Sequence, residues 1–225
     1  MTKQVLEVNG LSAYVSERKK GLFPKKSRRQ ILHDVSFSIA EGEVFGLMGV
    51  SGIGKSTLAR SILGLHKDID GEMIHHSTGP QMVFQDPYGS LNPRMTVGAM
   101  LNEALLIADG QKKAYHHEKV LDMLKLVDLN ENLLLRKAQK LSGGQRQRVS
   151  IALALITGAK FIVLDEPVSA LDATHKEQIL VLLKNLQENL GLSYLLISHD
   201  KKTVQYMCKR MLLLEADGKW CIVDL

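Results

Sequence analysis

Cysteine is scarce in this 225-residue chain: there are two, Cys208 and Cys221. Two thiols are too few for a four-cysteine zinc or iron–sulfur site, and they suit a reducing compartment. Long apolar runs are lacking as well. None approaches the ~18 residues that a membrane span needs. Residues 1–10 hold no basic start followed by an apolar stretch, so no secretory signal is expected. There are no internal repeats and no low-complexity tracts. What remains is ordinary globular composition, 45% hydrophobic and 24% charged. That excludes disorder, collagen and a disulfide-stapled miniprotein. The length suits one large domain or two small ones, with enough chain to bury a core unaided.

The net charge is +5, from 29 basic and 24 acidic residues. Residues 18–29 hold seven of the basic ones (Arg18, Lys19, Lys20, Lys25, Lys26, Arg28 and Arg29) and no acid, so the remainder carries −2. The basic balance therefore belongs to one short segment and not to a chain-wide nucleic-acid surface. A solvated hairpin loop is the favoured reading of that segment, and contact with anionic lipid headgroups is the alternative. Nucleic acid is not expected there, since only Phe23 offers a ring for stacking.

Apolar patterning predicts a β-rich start. Val5, Leu6 and Val8 lead to a turn at Asn9-Gly10, then Leu11 to Val15, and after the basic loop a strand over Ile31 to Ile39. Glu43 to Met48 reads as another strand. A glycine-rich turn follows, then a helix from Lys55 to Leu63, and a loop-like stretch from Gly64 to Pro80. Residues 95–140 read as mainly helical, with Val97, Leu101, Leu105 and Ala108 on one face and Val120, Leu121, Leu124 and Val127 on another. Ser142 to Ile156 is a further helix. Phe161 to Leu164, Ala173 to Leu190 and Tyr194 to Ile197 then read as strand, helix and strand, the pattern of a parallel sheet. A last helix from Lys201 to Cys208 and strands over Met211 to Leu214 and Trp220 to Val223 finish the chain. The pairs His75-His76 and His116-His117 read as surface side chains, since adjacent spacing points the rings apart.

Three motifs carry chemistry. Gly49-Val50-Ser51-Gly52-Ile53-Gly54-Lys55-Ser56, with Thr57 after it, matches G-x-x-x-x-G-K-[ST] between a strand and a helix. Its glycines let backbone N–H groups curl around phosphate oxygens, and the helix N-terminus adds positive potential. Lys55 would reach the β- and γ-phosphates and Ser56 would ligate Mg²⁺. Phe161-Ile162-Val163-Leu164-Asp165-Glu166 delivers two acids to the end of a buried strand, where ligands bind in open α/β sheets. Asp165 suits the second shell of Mg²⁺, and Glu166 suits the polarisation of an attacking water. Leu141-Ser142-Gly143-Gly144-Gln145 opens a helix with outward glycine amides, a second anion site. One nucleotide does not need two such sites, whereas the nucleotide of a second subunit does, so a dimer is expected.

A phosphate loop, LSGGQ and an apolar strand ending in Asp-Glu, in this order, resemble the nucleotide-binding subunit of an ATP-binding cassette (ABC) transporter. The resemblance covers essentially the whole chain. It implies a P-loop NTPase fold of ABC type: an α/β parallel-sheet core, an antiparallel β subdomain and a helical signature-motif subdomain. The corresponding boundaries are 1–94 with 158–225 for the core and β subdomain, and 95–157 for the helical one. By the same resemblance Gln85 is the glutamine that contacts Mg²⁺ and the membrane subunit. Ser169 to Asp172 matches the D-loop, His199 is the switch histidine at the γ-phosphate, and Tyr14 stacks on adenine, with Phe23 as its rival.

The run Val83 to Arg94 resembles the oligopeptide, dipeptide and nickel importer ATPases, and Gly21-Leu22-Phe23 resembles their second ATPase subunit. Val50 departs from that branch, which commonly has an acid there. The chain also stops at Leu225, without the branch's usual C-terminal extension. The resemblance implies an ATPase, with ATP and Mg²⁺, that energises import of peptides, nickel or metal chelates at the cytoplasmic face of the membrane. Its implied partners are two transmembrane permease subunits, a second ABC ATPase in a head-to-tail homo- or heterodimer, and indirectly a solute-binding protein, with no nucleic acid. The alternative is a soluble accessory ATPase of an enzyme complex, similar to the carbon–phosphorus lyase ATPases.

Overall fold

The computed structural model describes residues 3–18, 26–110, 116–215 and 218–225. In chain order the strands and helices are β1 (Gln4–Arg18), β2 (Lys26–Ala40), β3 (Val44–Gly49), α1 (Lys55–Ile62), β4 (Ile69–His75), β5 (Gln81–Val83), α2 (Pro87–Ser90), α3 (Val97–Asp109), α4 (His117–Leu126), α5 (Gly143–Ile156), β6 (Phe161–Asp165), α6 (Ala173–Leu190), β7 (Ser193–Ile197), α7 (Lys201–Met207), β8 (Arg210–Leu214) and β9 (Trp220–Asp224). They divide into two compact units, Met1–Ser77 with Ser193–Leu225, and Thr78–Leu192.

The first unit begins with an antiparallel sheet in the order β2-β1-β4. The expected turn at Asn9-Gly10 is instead a bulge inside one continuous strand. The pairing of β1 with β2 shifts register between Val8 and Leu11, Gly10 takes φ 63°, and its N–H is held by Ser36 Oγ at 2.9 Å. The bulge moves the buried positions from even (Leu6, Val8) to odd (Leu11, Ala13), so both halves of the strand face the same core. Gly64 to Pro80 is not a loop throughout. It contains β4, an edge strand paired with β1 through Leu6–His75 and Val8–Met73. Asp70, Gly71 and Glu72 are exposed, so β4 lacks the alternation that would betray it, and pairing decides its structure. The basic segment is likewise not all loop: Arg18 and Lys26 pair as strand residues, and Arg28 and Arg29 lie in β2. Lys19 to Lys25, with Gly21, Leu22 and Phe23, lie outside the described residues.

A second sheet in this unit runs β7-β3-β8-β9, with β3 parallel to β7 and β8, and β9 antiparallel to β8. Val44 to Met48 and all of β7 are buried, as continuously apolar strands of a covered parallel sheet should be. The two sheets meet where the Phe37 and Phe45 rings stack at 5.3 Å and where Arg210 bonds Glu43 at 2.6 Å and the Ser38 carbonyl at 2.7 Å. Cys208 packs beneath β3, and burial, with the Glu43 charge nearby, pushes its thiol up to about 12. His75 and His76 are exposed, as the surface reading expected; desolvation lowers the His75 pKa, and His76 pairs with Glu7 at 2.8 Å.

In the second unit β5 and β6 are parallel neighbours. Helix α5 is its centre, burying Val149, Ile151, Ala152 and Leu155, and α3 and α4 pack against it through Leu101, Leu105, Val120 and Leu124. The expected faces hold except at their margins: Ala108 is exposed at the end of α3 and Leu121 is half-buried. His116 departs from the surface reading, because its side chain is only 17% exposed, with its backbone N–H on Asn102 Oδ1. Helix α6 buries Ile179, Leu183 and Leu186 and stops at Gly191 in the left-handed conformation. An antiparallel sheet, a parallel core and a helical region are thus all present.

Candidate functional site

In the first unit the site is built on the loop from β3 to α1. No side chain caps α1 and no acid lies in its first turn, so its leading N–H groups and positive dipole end face the loop. Gly54 sits at the N-cap with φ 118°, and a Cβ there would meet Ile31 Cγ2 at 2.8 Å and Leu32 Cδ2 at 2.9 Å. Only glycine lets β2 buttress the loop this closely. The Lys55 ammonium donates to the carbonyls of Gly49 at 2.7 Å and Val50 at 2.9 Å. A cation folded back on its own loop marks the place where phosphate oxygens would take it over. Ser51, Gly52 and Ser56 are exposed along this cradle, Ile53 and Thr57 are half-buried, and Val50 is exposed.

His199 is exposed just beyond the buried strand β7. The turn that presents it is fixed by Asp200, which caps α7 by accepting from Lys202 N at 3.0 Å and Thr203 Oγ1 at 2.7 Å. Tyr14 lies in β1 with the Arg28 guanidinium 3.6 Å from its ring centroid. Arg28 is anchored in turn on Asp68 at 2.6 Å. Hydrogen bonding to Asp70 pushes the Tyr14 hydroxyl above its usual range. One face of this ring is therefore already stacked, a contact between residues too far apart in sequence to be read from a local motif.

In the second unit β6 presents Asp165 at its last position, half-buried, and Glu166 directly after it, 9% exposed. Glu166 adopts φ 48°, a left-handed backbone that costs a non-glycine residue roughly 1–3 kcal/mol. Ser169 holds it there, with its N–H and its hydroxyl both on the Glu166 carbonyl. Gln85 is exposed between β5 and α2, and Asp86 caps α2 by accepting from Tyr88 N at 2.8 Å. Asp172 caps α6, accepting from His175 N at 3.1 Å and pairing with His175 Nδ1 at 2.7 Å. The His175 backbone N–H, followed by its side chain, holds the Asp172 carboxyl below the usual range.

Ser142 opens α5 with a capping box: its hydroxyl accepts from Gln145 N at 3.3 Å, and Gln145 Oε1 accepts from Ser142 N at 3.1 Å. The Ser142 hydroxyl keeps its own proton to donate. Gly143 and Gly144 follow as the first helical residues. A Cβ at Gly144 would meet His175 Cδ2 at 2.8 Å, so α6 closes directly on the turn. Ser142, Gly144, Gln145, Arg148 and His175 border an open polar cleft of about 520 Å³. His175 was not among the residues picked out in the sequence, because its contact to Gly144 exists only once the two helices pack.

A family model described as ABC transporter matches residues 32–169. The oligopeptide transport ATP-binding protein OppF of Streptococcus mutans is 42% identical over 225 residues, covering 93% of this chain and 71% of the relative. OppF of Bacillus subtilis is 39% identical, covering 94% of this chain and 72% of the relative. Among solved structures, a dimeric ATP-binding cassette in a post-hydrolysis state bound to ADP and Pi matches with a TM-score of 0.76 and 28% identity, covering 98% of both chains. The cbiO1 protein of Clostridium perfringens, part of the ABC transporter complex cbiONQ, matches with a TM-score of 0.78 and 26% identity, covering 97% of this chain and 87% of that one.

Proposed function

We propose that this chain, which belongs to the ABC transporter family, energises the import of peptides. It binds and hydrolyses ATP as an importer's ATPase subunit, and it works in association with a membrane. The observation that carries the reading is Lys55, held on the Gly49 and Val50 carbonyls at the uncapped end of α1.

In this reading Gly49 to Thr57 wrap the phosphates with backbone N–H groups, and Lys55 leaves its two carbonyls for the β- and γ-oxygens. Tyr14 receives adenine on its ring. Glu166 orients water for in-line attack on the γ-phosphorus. The new P–O bond forms as the bond to the β-phosphate oxygen breaks, and the water proton passes to the Glu166 carboxylate. His199 contacts the γ-phosphate. The Ser142–Gln145 face, with Asp172 behind it, closes over the nucleotide of a second ATPase subunit, so that two composite sites form in a head-to-tail pair. Ser56, Gln85 and Asp165 offer hard oxygen donors, which fit Mg²⁺. Among the described residues no group of three His, Cys, Asp or Glu could hold a metal. Mg²⁺ offsets the negative charge of the phosphates when bound.

Residues 95–157 are assigned as the helical signature subdomain, and 1–94 with 158–225 as the core and β subdomain. None of the described helices is long and apolar enough to cross a membrane. A groove of about 300 Å³ beside Gln85 is lined by Phe84, Leu91, Ala104, Ile107 and Leu153, with Phe84 45% and Ile107 77% exposed. It fits an apolar segment of a permease subunit, which the Gln85 to Arg94 run would contact at the cytoplasmic face. Two permease subunits, a sister or identical ATPase and a solute-binding protein complete the assembly. The OppF relatives favour peptides over nickel or metal chelates, and import over a soluble accessory role.

Purification of the tagged chain from detergent-solubilised membranes, with mass spectrometry of what accompanies it, tests this. Polytopic membrane proteins and an ATPase are expected. Recovery with soluble enzymes alone would overturn import and favour the accessory reading.

A further inference from the structure

Arg146 stands in the first turn of α5, four residues after the cap Ser142. A cation there opposes the helix dipole, and a free arginine would swing into solvent. Arg146 does the opposite. Its Nη2 donates to the Leu141 carbonyl at 2.6 Å, the carbonyl that immediately precedes the cap. Its Cζ lies 3.7 Å from the centroid of the Tyr88 ring. Its Nε is buried without a hydrogen-bond partner among the described residues. The ring face is what compensates that desolvated cation. Tyr88 is otherwise 61% exposed, so core packing is not what holds it. It is set by α2, whose cap Asp86 accepts the Tyr88 N–H one residue after Gln85.

We propose that Tyr88 and Arg146 are a positioning pair that ties the segment after Gln85 to the Leu141–Ser142 turn. The guanidinium is the joint: one side grips the backbone that begins the signature turn, and the other lies on a ring carried by α2. Displacement of residues 86–90 is thereby passed to the capping box of Ser142 and Gln145. This rests on the reading that Ser142 to Gln145 closes over a nucleotide while Gln85 to Arg94 meets a permease. It adds the side chains that connect the two.

Hydrogen–deuterium exchange of the purified full chain tests the pair, read at peptides spanning residues 141–146. Opening of the capping box exposes the Ser142 and Gln145 amides, which the box otherwise protects. Tyr88→Leu keeps bulk and loses the ring face, and it should raise exchange there about two- to five-fold, the factor such a contact is worth on a part-exposed ring. Tyr88→Phe keeps the face and should match wild type. Arg146→Lys keeps charge and loses the flat stack, and it should raise exchange like Tyr88→Leu. The double variant should be no worse than either single one. Residues 49–57 serve as the unchanged control. Wild-type exchange in Tyr88→Leu, equal loss in Tyr88→Phe, or strict additivity would overturn the pair. A failed membrane pull-down would leave this exchange result standing, and a failed exchange result would leave the importer reading intact.

Discussion

Ser169 holds the carbonyl oxygen of Glu166 twice, through its N–H at 3.2 Å and its hydroxyl at 3.1 Å. The double grip sustains the left-handed backbone of Glu166. Glu166→Gln should keep ATP binding and cut turnover on the order of 100-fold or more, the worth of a positioned base. Wild-type turnover would remove Glu166 from that role. Ser169→Ala leaves only the N–H bond and should lower kcat by about five-fold with KM unchanged, the worth of one hydrogen bond. A change in KM alone would point to binding instead.

Lys55→Ala removes both the cation and its two carbonyl bonds. Nucleotide affinity should fall about 10- to 100-fold, since bonds to charged groups are worth roughly 1.5–3 kcal/mol. Titration with a fluorescent ATP analogue reads this directly, and undiminished affinity would count against the phosphate loop.

Gly144→Ala places a methyl group against the His175 ring. It should destabilise the protein by about 1–3 kcal/mol in chemical denaturation, as overpacking does. Adding His175→Ala should recover most of that loss. Equal destabilisation in both backgrounds would mean that the backbone of α5, not the ring, sets the glycine requirement.

The two cysteines should differ in reactivity. Cys221 is exposed and Cys208 is buried with a thiol pushed up to about 12. An alkylating reagent at neutral pH should label Cys221 alone, as peptide mass spectrometry would read. A folded-state pKa above the unfolded value stabilises the fold fully below the unfolded pKa. That contribution fades as pH rises toward 12, so Cys208→Ala should flatten the alkaline limb of a stability–pH profile. An unchanged limb would remove Cys208 as its cause.

Some of the fold was legible because its causes are local. Ala173 to Leu190 reads as a helix from its apolar stripe and its terminal Gly191, and it runs over those residues. Phe161 to Leu164 reads as buried strand because the run is apolar throughout. Where the cause lies elsewhere in the chain, local reading failed. The strand Ile69–His75 exists because β1 offers it a pairing edge, and its own residues look like a loop. Asn9-Gly10 carries a turn signature that the sheet absorbs as a bulge. In the candidate site, the chemistry-bearing residues stand out by contiguous motif, whereas Arg28 over Tyr14 and His175 against Gly144 do not.

The sequence by itself determined the glycine-rich turn between a strand and a helix, the serine that opens a helix at Ser142 and the acids at a strand end. Each depends on the backbone demands of a few consecutive residues. Only the tertiary structure decided that Glu166 sits in a left-handed backbone, that Arg28 covers Tyr14, and that Arg146 lies on Tyr88. These arrangements arise where packing brings distant groups within a few ångströms. A desolvated cation must then find a ring or a carboxylate, and a strained backbone must find a donor to hold it.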